Sequence, residues 1–167
     1  LANQQAAEFL ATQVKAGVFT SYPGFKASEL DKVAELLNQA GIETPDLAAL
    51  TSLEGFIALQ RKLEELNNPW LVTRLKRLQE NLSLSLTPQL HLGLGVKGYA
   101  SITAPLRRYV DLINLRLIKA HLTNETLKLP SSLEIEELNN LRIKQRRAEN
   151  LIKNQLYTLY MANKLGQ

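Results

Sequence analysis

The segment SELDKVAELLNQAGI, residues 28–42, constrains the fold most, because it specifies a helix and both of its ends. Ser28 with Asp31 three residues on is a variant of the capping box, and Gly41 is a stop. Neighbouring stretches carry the same kind of signal. Residues 1–16 read as an amphipathic helix with Phe9, Leu10 and Val14 at helical spacing. TPDLAAL (44–50) reads as a short helical turn, and Thr51 or Ser52 caps a helix reaching residue 68. Pro69 then occupies the N1 position of a helix running to about Leu82. After a polar loop containing Pro130, a long helix or helix pair extends from Ser132 to about Leu165.

Two regions break the helical pattern. AGVFTSYPGF (16–25) combines aromatic and β-branched residues with Pro-Gly, which predicts a short strand ending in a turn. LSLSL (82–86) and LHLGLGV (90–96) alternate apolar and polar residues across Thr-Pro-Gln, which predicts a hairpin. The expected fold is α+β and mostly helical, with amphipathic helices packed around a small antiparallel β element. No internal repeat or low-complexity segment interrupts it.

Composition narrows the chemistry. At 167 residues the chain is one domain or a large piece of one. It begins with Leu inside a helical pattern, so it reads as a fragment of a longer polypeptide. Without cysteine, disulfides and thiolate chemistry are excluded. No apolar run approaches the roughly 18 residues of a membrane span, and no secretory signal pattern opens the chain. A cytoplasmic protein with no membrane partner is the simplest expectation. The net charge of +4 fits a polyanionic partner, and bases prevail in VTRLKRLQ (72–79), LRRY (106–109) and LRIKQRRAENLIK (141–153).

Only three aspartates (Asp31, Asp46, Asp111) and two histidines (His91, His121) are present, none at ligand spacing, so no metal site is expected within this chain. GLGVKG (93–98) resembles a phosphate loop in letters only. His91 reads as a structural hydrogen-bonding residue, and His121 as a base tolerated near a helix C-terminus. Pro105 predicts a helix starting near Ala104, which puts Arg107 and Arg108 in its first turn. There a cation costs up to about 1 kcal/mol against the macrodipole. Either the arginines are surface groups paired with acids, for example Arg107 with Asp111 at i,i+4, or they and the helix N-terminus face a ligand phosphate. In the last helix Arg142, Arg146, Glu149 and Lys153 share one face, which is either a solvated surface or part of an RNA channel.

HLGLGVKGYASITAPLRRYVDLINLR (91–116) resembles the signature of the ribonuclease II family. His91, Gly93, Leu94, Tyr99, Thr103, Pro105, Arg107, Arg108, Tyr109, Asp111 and Arg116 fall in register without a gap. LANQQAAEFLATQV, SELDKVAELLNQAGI, SLEGFIALQRKLEEL and RRAENLIKNQLYTLY also look like family segments. The resemblance therefore covers residues 1–167 as the C-terminal part of the catalytic domain, without the metal-binding first half or the S1 RNA-binding domain. It implies a processive 3′→5′ exoribonuclease that hydrolyses single-stranded RNA to 5′-mononucleotides by a two-metal mechanism. The Mg²⁺ would be held by aspartates upstream of this chain, leaving the fragment alone inactive. By the same resemblance Arg107 matches the arginine at the reacting phosphate, and Glu149 a glutamate near the RNA 3′ end. Further RNA contacts are expected from Tyr99, Thr103, Arg108, Tyr109 and Arg146. The chain departs from the family pattern at Ala104, Leu106 and Leu115, and at Ser21 and Tyr22. Competing readings are a non-catalytic RNA-binding protein on the same scaffold and a helical protein–protein module.

Overall fold

The computed structural model describes residues 1–43, 46–126 and 129–165, in two units divided after Leu129. In the first unit, helix α1 (Ala2–Phe9) runs into one wide turn, Leu10–Val14, and stops where Lys15 adopts a left-handed conformation at φ 56°. Leu10 is fully buried, and its carbonyl accepts the N–H groups of Lys15 and Ala16.

Helix α2 (Leu30–Gln39) starts later than expected. A 3₁₀ turn over Ala27–Glu29 precedes it, so Ser28 lies inside that turn and makes no capping bond. The stop is as expected: Gly41 takes φ +73°, and the Ile42 N–H returns 3.0 Å to the Leu37 carbonyl. Helix α3 (Leu47–Thr51) is capped by Asp46, while residues 44 and 45 of the expected turn lie outside the described residues. Ser52, rather than Thr51, caps α4 (Leu53–Leu66), accepting the Gly55 N–H at 3.1 Å. Asn68 caps α5 (Pro69–Arg77), with Pro69 at N1. Helix α5 ends before Leu82 because the chain turns away to pair with the Pro-Gly turn. Lys26 donates to the Leu78 carbonyl, and Glu80 to the Gly24 carbonyl. Gly24 itself has φ +85°, and a Cβ there would come within 2.9 Å of Leu92 Cδ1.

The expected hairpin does not form. Strand β2 (Ser83–Ser85) pairs instead with β1 (Phe19–Ser21), antiparallel, with Thr20 opposite Leu84. Residues 90–96 fold back on themselves: His91 and Val96 exchange backbone hydrogen bonds around a 3₁₀ turn at Leu92–Leu94, closed by Gly95 at φ +69°. Alternation alone could not decide the pairing. The glycines that leave one face bare also permit the reversal, while β1 offers β2 a buried partner strand. On its other edge β1 and the residue after it meet the 90–99 segment: Thr20 donates to the Tyr99 carbonyl, Tyr22 to that of Leu90, and Leu92 to that of Tyr22.

Helix α6 spans Tyr109–Thr123 and closes the first unit. Two apolar clusters hold that unit together. One is built on Phe56 with Val33, Leu37, Leu59 and Leu71 from α2, α4 and α5. The other joins Ala7 and Leu10 to Phe19, Ala100 and Leu117. The second unit is α7 (Ser132–Leu165), a single continuous helix rather than a pair. Its start is a capping box: Ser131 Oγ accepts the Glu134 N–H at 3.2 Å, and the Glu134 carboxylate accepts the Ser131 N–H at 2.7 Å. Residues 127 and 128 of the connecting loop lie outside the described residues.

Candidate functional site

Two asparagines, 111 positions apart in the chain, fix the segment that carries the paired arginines. From α1, the Asn3 side-chain oxygen accepts the Ile102 N–H at 3.1 Å, and its backbone carbonyl accepts the Ala100 N–H. Its amide also donates to the Tyr99 hydroxyl at 2.7 Å. From α6, Asn114 is fully buried and bridges the Val18 N–H, the Val18 carbonyl and the Ser101 carbonyl at 2.8, 2.9 and 3.1 Å. Residues 99–102 are thus held from both sides, one by α1 and one by β1 and α6. Neither asparagine is among the expected site residues. Asn114 carried a readable signal, a polar residue three positions before core residue Leu117 on the same helix face.

Past Ile102 the chain makes a tight turn. The N–H groups of Arg107 and Arg108 both return to the Ala104 carbonyl, and α6 begins only at Tyr109. Arg107 and Arg108 therefore precede the helix instead of lying in its first turn. Pro105 is why: it disfavours helical backbone at Ala104 and starts a turn in its place. Arg108 occupies the N-cap position in extended conformation, φ −123° and ψ 109°.

The two arginines sit in different surroundings. The Arg108 Nη2 donates to Asp111 Oδ2 at 3.1 Å and to Thr103 Oγ1 at 3.0 Å. Asp111 is fully buried, and its Oδ2 also accepts the Ala104 N–H at 2.8 Å. The expected ion pair on Asp111 thus exists, but with Arg108 rather than Arg107. Among the described residues the Arg107 guanidinium has no ion pair or side-chain hydrogen bond, and it is exposed. Beside it Tyr109 and Leu106 are exposed as well. One buried acid answers one arginine, and Arg107, just before the start of α6, is left exposed.

His91 lies behind this segment. It is buried, with ring centroids 5.4 Å from Tyr99 and 5.7 Å from Tyr22. Its Nδ1 has no hydrogen-bond partner among the described residues, and the ring packs against both tyrosines. Burial lowers its pKa below the ordinary imidazole value. The fold therefore disfavours the charged ring. Protonation of the unfolded chain begins to compete as the pH falls below about 6.5. On acidification from about pH 7 toward about pH 5 the melting temperature should fall, and His91→Phe should flatten part of that fall. An unchanged slope in the variant would assign the acid sensitivity to other groups. His121, in the last turn of α6, packs edge-on against Phe9 at 5.6 Å.

On α7, described by itself, Arg146 and Glu149 are exposed, and Glu149 accepts a hydrogen bond from Gln145 at 2.9 Å. Among the described residues no three His, Asp or Glu side chains converge as a metal ligand set. No described helix is long and apolar enough to cross a membrane.

A family model for the RNB domain matches residues 1–124, and the chain belongs to that family of ribonuclease II type catalytic domains. Among curated relatives, Exoribonuclease 2 of Psychromonas ingrahamii is 37% identical over 165 residues, covering 98% of this chain and 25% of that protein. Exoribonuclease 2 of Pasteurella multocida is 35% identical, covering 100% and 27%. The chain therefore spans about a quarter of the length of these relatives. Among solved structures, RNase R of Mycoplasma genitalium in complex with ribose methylated single-stranded RNA has the same fold. Its TM-score is 0.81 at 23% identity, covering 98% of this chain and 27% of that one.

Proposed function

We propose that this chain is the phosphate-gripping portion of a processive 3′→5′ exoribonuclease that hydrolyses single-stranded RNA to 5′-mononucleotides in the cytoplasm. The observation that carries the reading is the exposed Arg107 just before α6, which has no ion pair among the described residues, within the signature of a family whose relatives are named Exoribonuclease 2. The Mycoplasma RNase R relative was solved with single-stranded RNA, which supports the same class of substrate.

Each residue then has a task. The Arg107 guanidinium is planar and charged at every working pH, so it can take two oxygens of one phosphate at once. As the phosphodiester is attacked, charge accumulates on those oxygens, and a positioned cation stabilises that state more than the ground state. Thr103 and Tyr109, exposed and close to Arg107 in the chain, carry hydroxyl and aromatic groups suited to sugar, phosphate or base contacts. Tyr99, whose hydroxyl is committed to Asn3, shapes the segment beneath them. Glu149 on α7 supplies a contact near the RNA 3′ end, and Arg146 a further RNA contact.

Magnesium is the family cofactor, but the residues here do not fit a site for it. Asp111 is buried and already bound to Arg108 and the Ala104 N–H, and among the described residues it joins no cluster of three His, Asp or Glu side chains. The Mg²⁺ ligands belong to the parent polypeptide outside this chain, and the 167-residue chain alone should leave RNA intact.

The test uses the full-length protein with 5′-labelled single-stranded RNA and Mg²⁺. The expected products are a ladder shortened from the 3′ end and free 5′-mononucleotides. RNA that is bound yet stays full length would sink the enzyme reading in favour of a binding protein.

A further inference from the structure

The geometry points to a division of labour within the arginine pair: Arg107 meets the RNA phosphate, while Arg108 and Asp111 form an internal strut that positions the turn carrying it. This rests on the phosphate reading above and assigns Arg108 a task different from its neighbour's.

Three observations carry it. First, Arg108 is turned inward on one side. Its Nη2 serves both Asp111 Oδ2 and Thr103 Oγ1, and its Nε is buried, which leaves Nη1 alone to face outward. Second, the acid is wholly internal. Asp111 is fully buried, and its Oδ2 ties the Arg108 head group to the Ala104 N–H, the first residue of the turn. That one oxygen therefore fixes both ends of the 104–108 turn, with Arg107 between them. Third, the two atoms left without a partner, Arg108 Nε and Asp111 Oδ1, are the pair that a fork-to-fork arrangement would join. The buried part of the pair's remaining hydrogen-bonding capacity is therefore mutual.

A strut and a ligand differ in how binding responds to salt. Each phosphate contact on single-stranded nucleic acid contributes about 0.7 to the slope of log affinity against log salt. In the full-length protein, Arg107→Ala should lower that slope for single-stranded RNA by about one such contact. Arg108→Ala and the near-isosteric Asp111→Asn should leave the slope unchanged while lowering kcat. In an Asp111→Asn background, Arg107→Ala should cost far less activity than it does in the wild type, because both act through the same guanidinium. Arg108→Lys keeps the charge next to Asp111 and should restore part of kcat. It also guards against a variant that merely unfolds, which a melting curve would expose.

An Arg108→Ala slope reduced as much as that of Arg107→Ala, with Asp111→Asn fully active, would make Arg108 a phosphate ligand and overturn the strut. If neither arginine alters the slope, the phosphate reading itself fails, and the strut with it.

Discussion

Replacing Arg107 with Ala in the full-length protein should lower kcat by about 10²–10³-fold, in line with the loss of one preorganised donor from a charge-stabilising site. That corresponds to about 3–4 kcal/mol of transition-state stabilisation. The magnitude follows from where the group sits. Arg107 has no ion pair or side-chain hydrogen bond among the described residues, so removing it breaks no such bond inside the fold. Folding stability should change by no more than about 0.5 kcal/mol, as for other exposed positions. Activity and stability should therefore separate cleanly. Arg107→Lys should recover only part of the rate, because an ammonium keeps the charge and loses the two-pronged geometry. Single-turnover hydrolysis of labelled RNA, read beside a melting curve, checks both halves. A rate within about threefold of wild type would remove Arg107 from the reacting phosphate.

The largest effect on stability should come from Asn114→Ala. The side chain is fully buried and answers a backbone donor and two backbone acceptors. Truncation leaves the Val18 N–H, the Val18 carbonyl and the Ser101 carbonyl without their partner. Buried polar groups stripped of a partner cost about 1–3 kcal/mol each, so a total of roughly 3–5 kcal/mol is expected once some relaxation is allowed. Asn114→Asp should be no better, since a carboxylate cannot donate to the two carbonyls and adds a buried charge. The measurement is the urea midpoint of the transition that reports this domain. Because Asn114 also ties Val18, the residue before β1, to the segment leading into the arginine turn, activity should be lost well before that midpoint. A shift below about 1 kcal/mol would mean that backbone rearrangement or water replaces the amide.

The contrast between the two variants explains what could be read in advance. Arg107 stood out in the linear chain because two adjacent cations near a helix start oppose the macrodipole and require an explanation. Asp111 was visible as a neighbour, but the choice between Arg107 and Arg108 was not. Helical spacing offered Asp111 to Arg107, yet the turn induced by Pro105 moved the helix start to Tyr109 and brought Arg108 to the carboxylate instead. Asn114 could be suspected from its place on a core-facing helix stripe, but the Val18 partner of Asn114 and the Ile102 partner of Asn3 lie 96 and 99 residues away, where no local period records them.

What the amino-acid order determined by itself is the set of local decisions. Pro69 after a capping Asn68, the Gly41 stop, the Ser52 cap and the length of α7 each depend on bonds spanning five residues or fewer, so the residues that make them are written next to one another. Tertiary structure decided the rest. An alternating segment can pair with any edge whose partner face is buried, and LSLSL joined Phe19–Ser21 rather than the glycine-bearing stretch beside it. In the same way a buried acid chooses between two arginines by the path of the backbone. That path is set by a clamp between α1, β1 and α6 that forms only when distant parts of the chain meet.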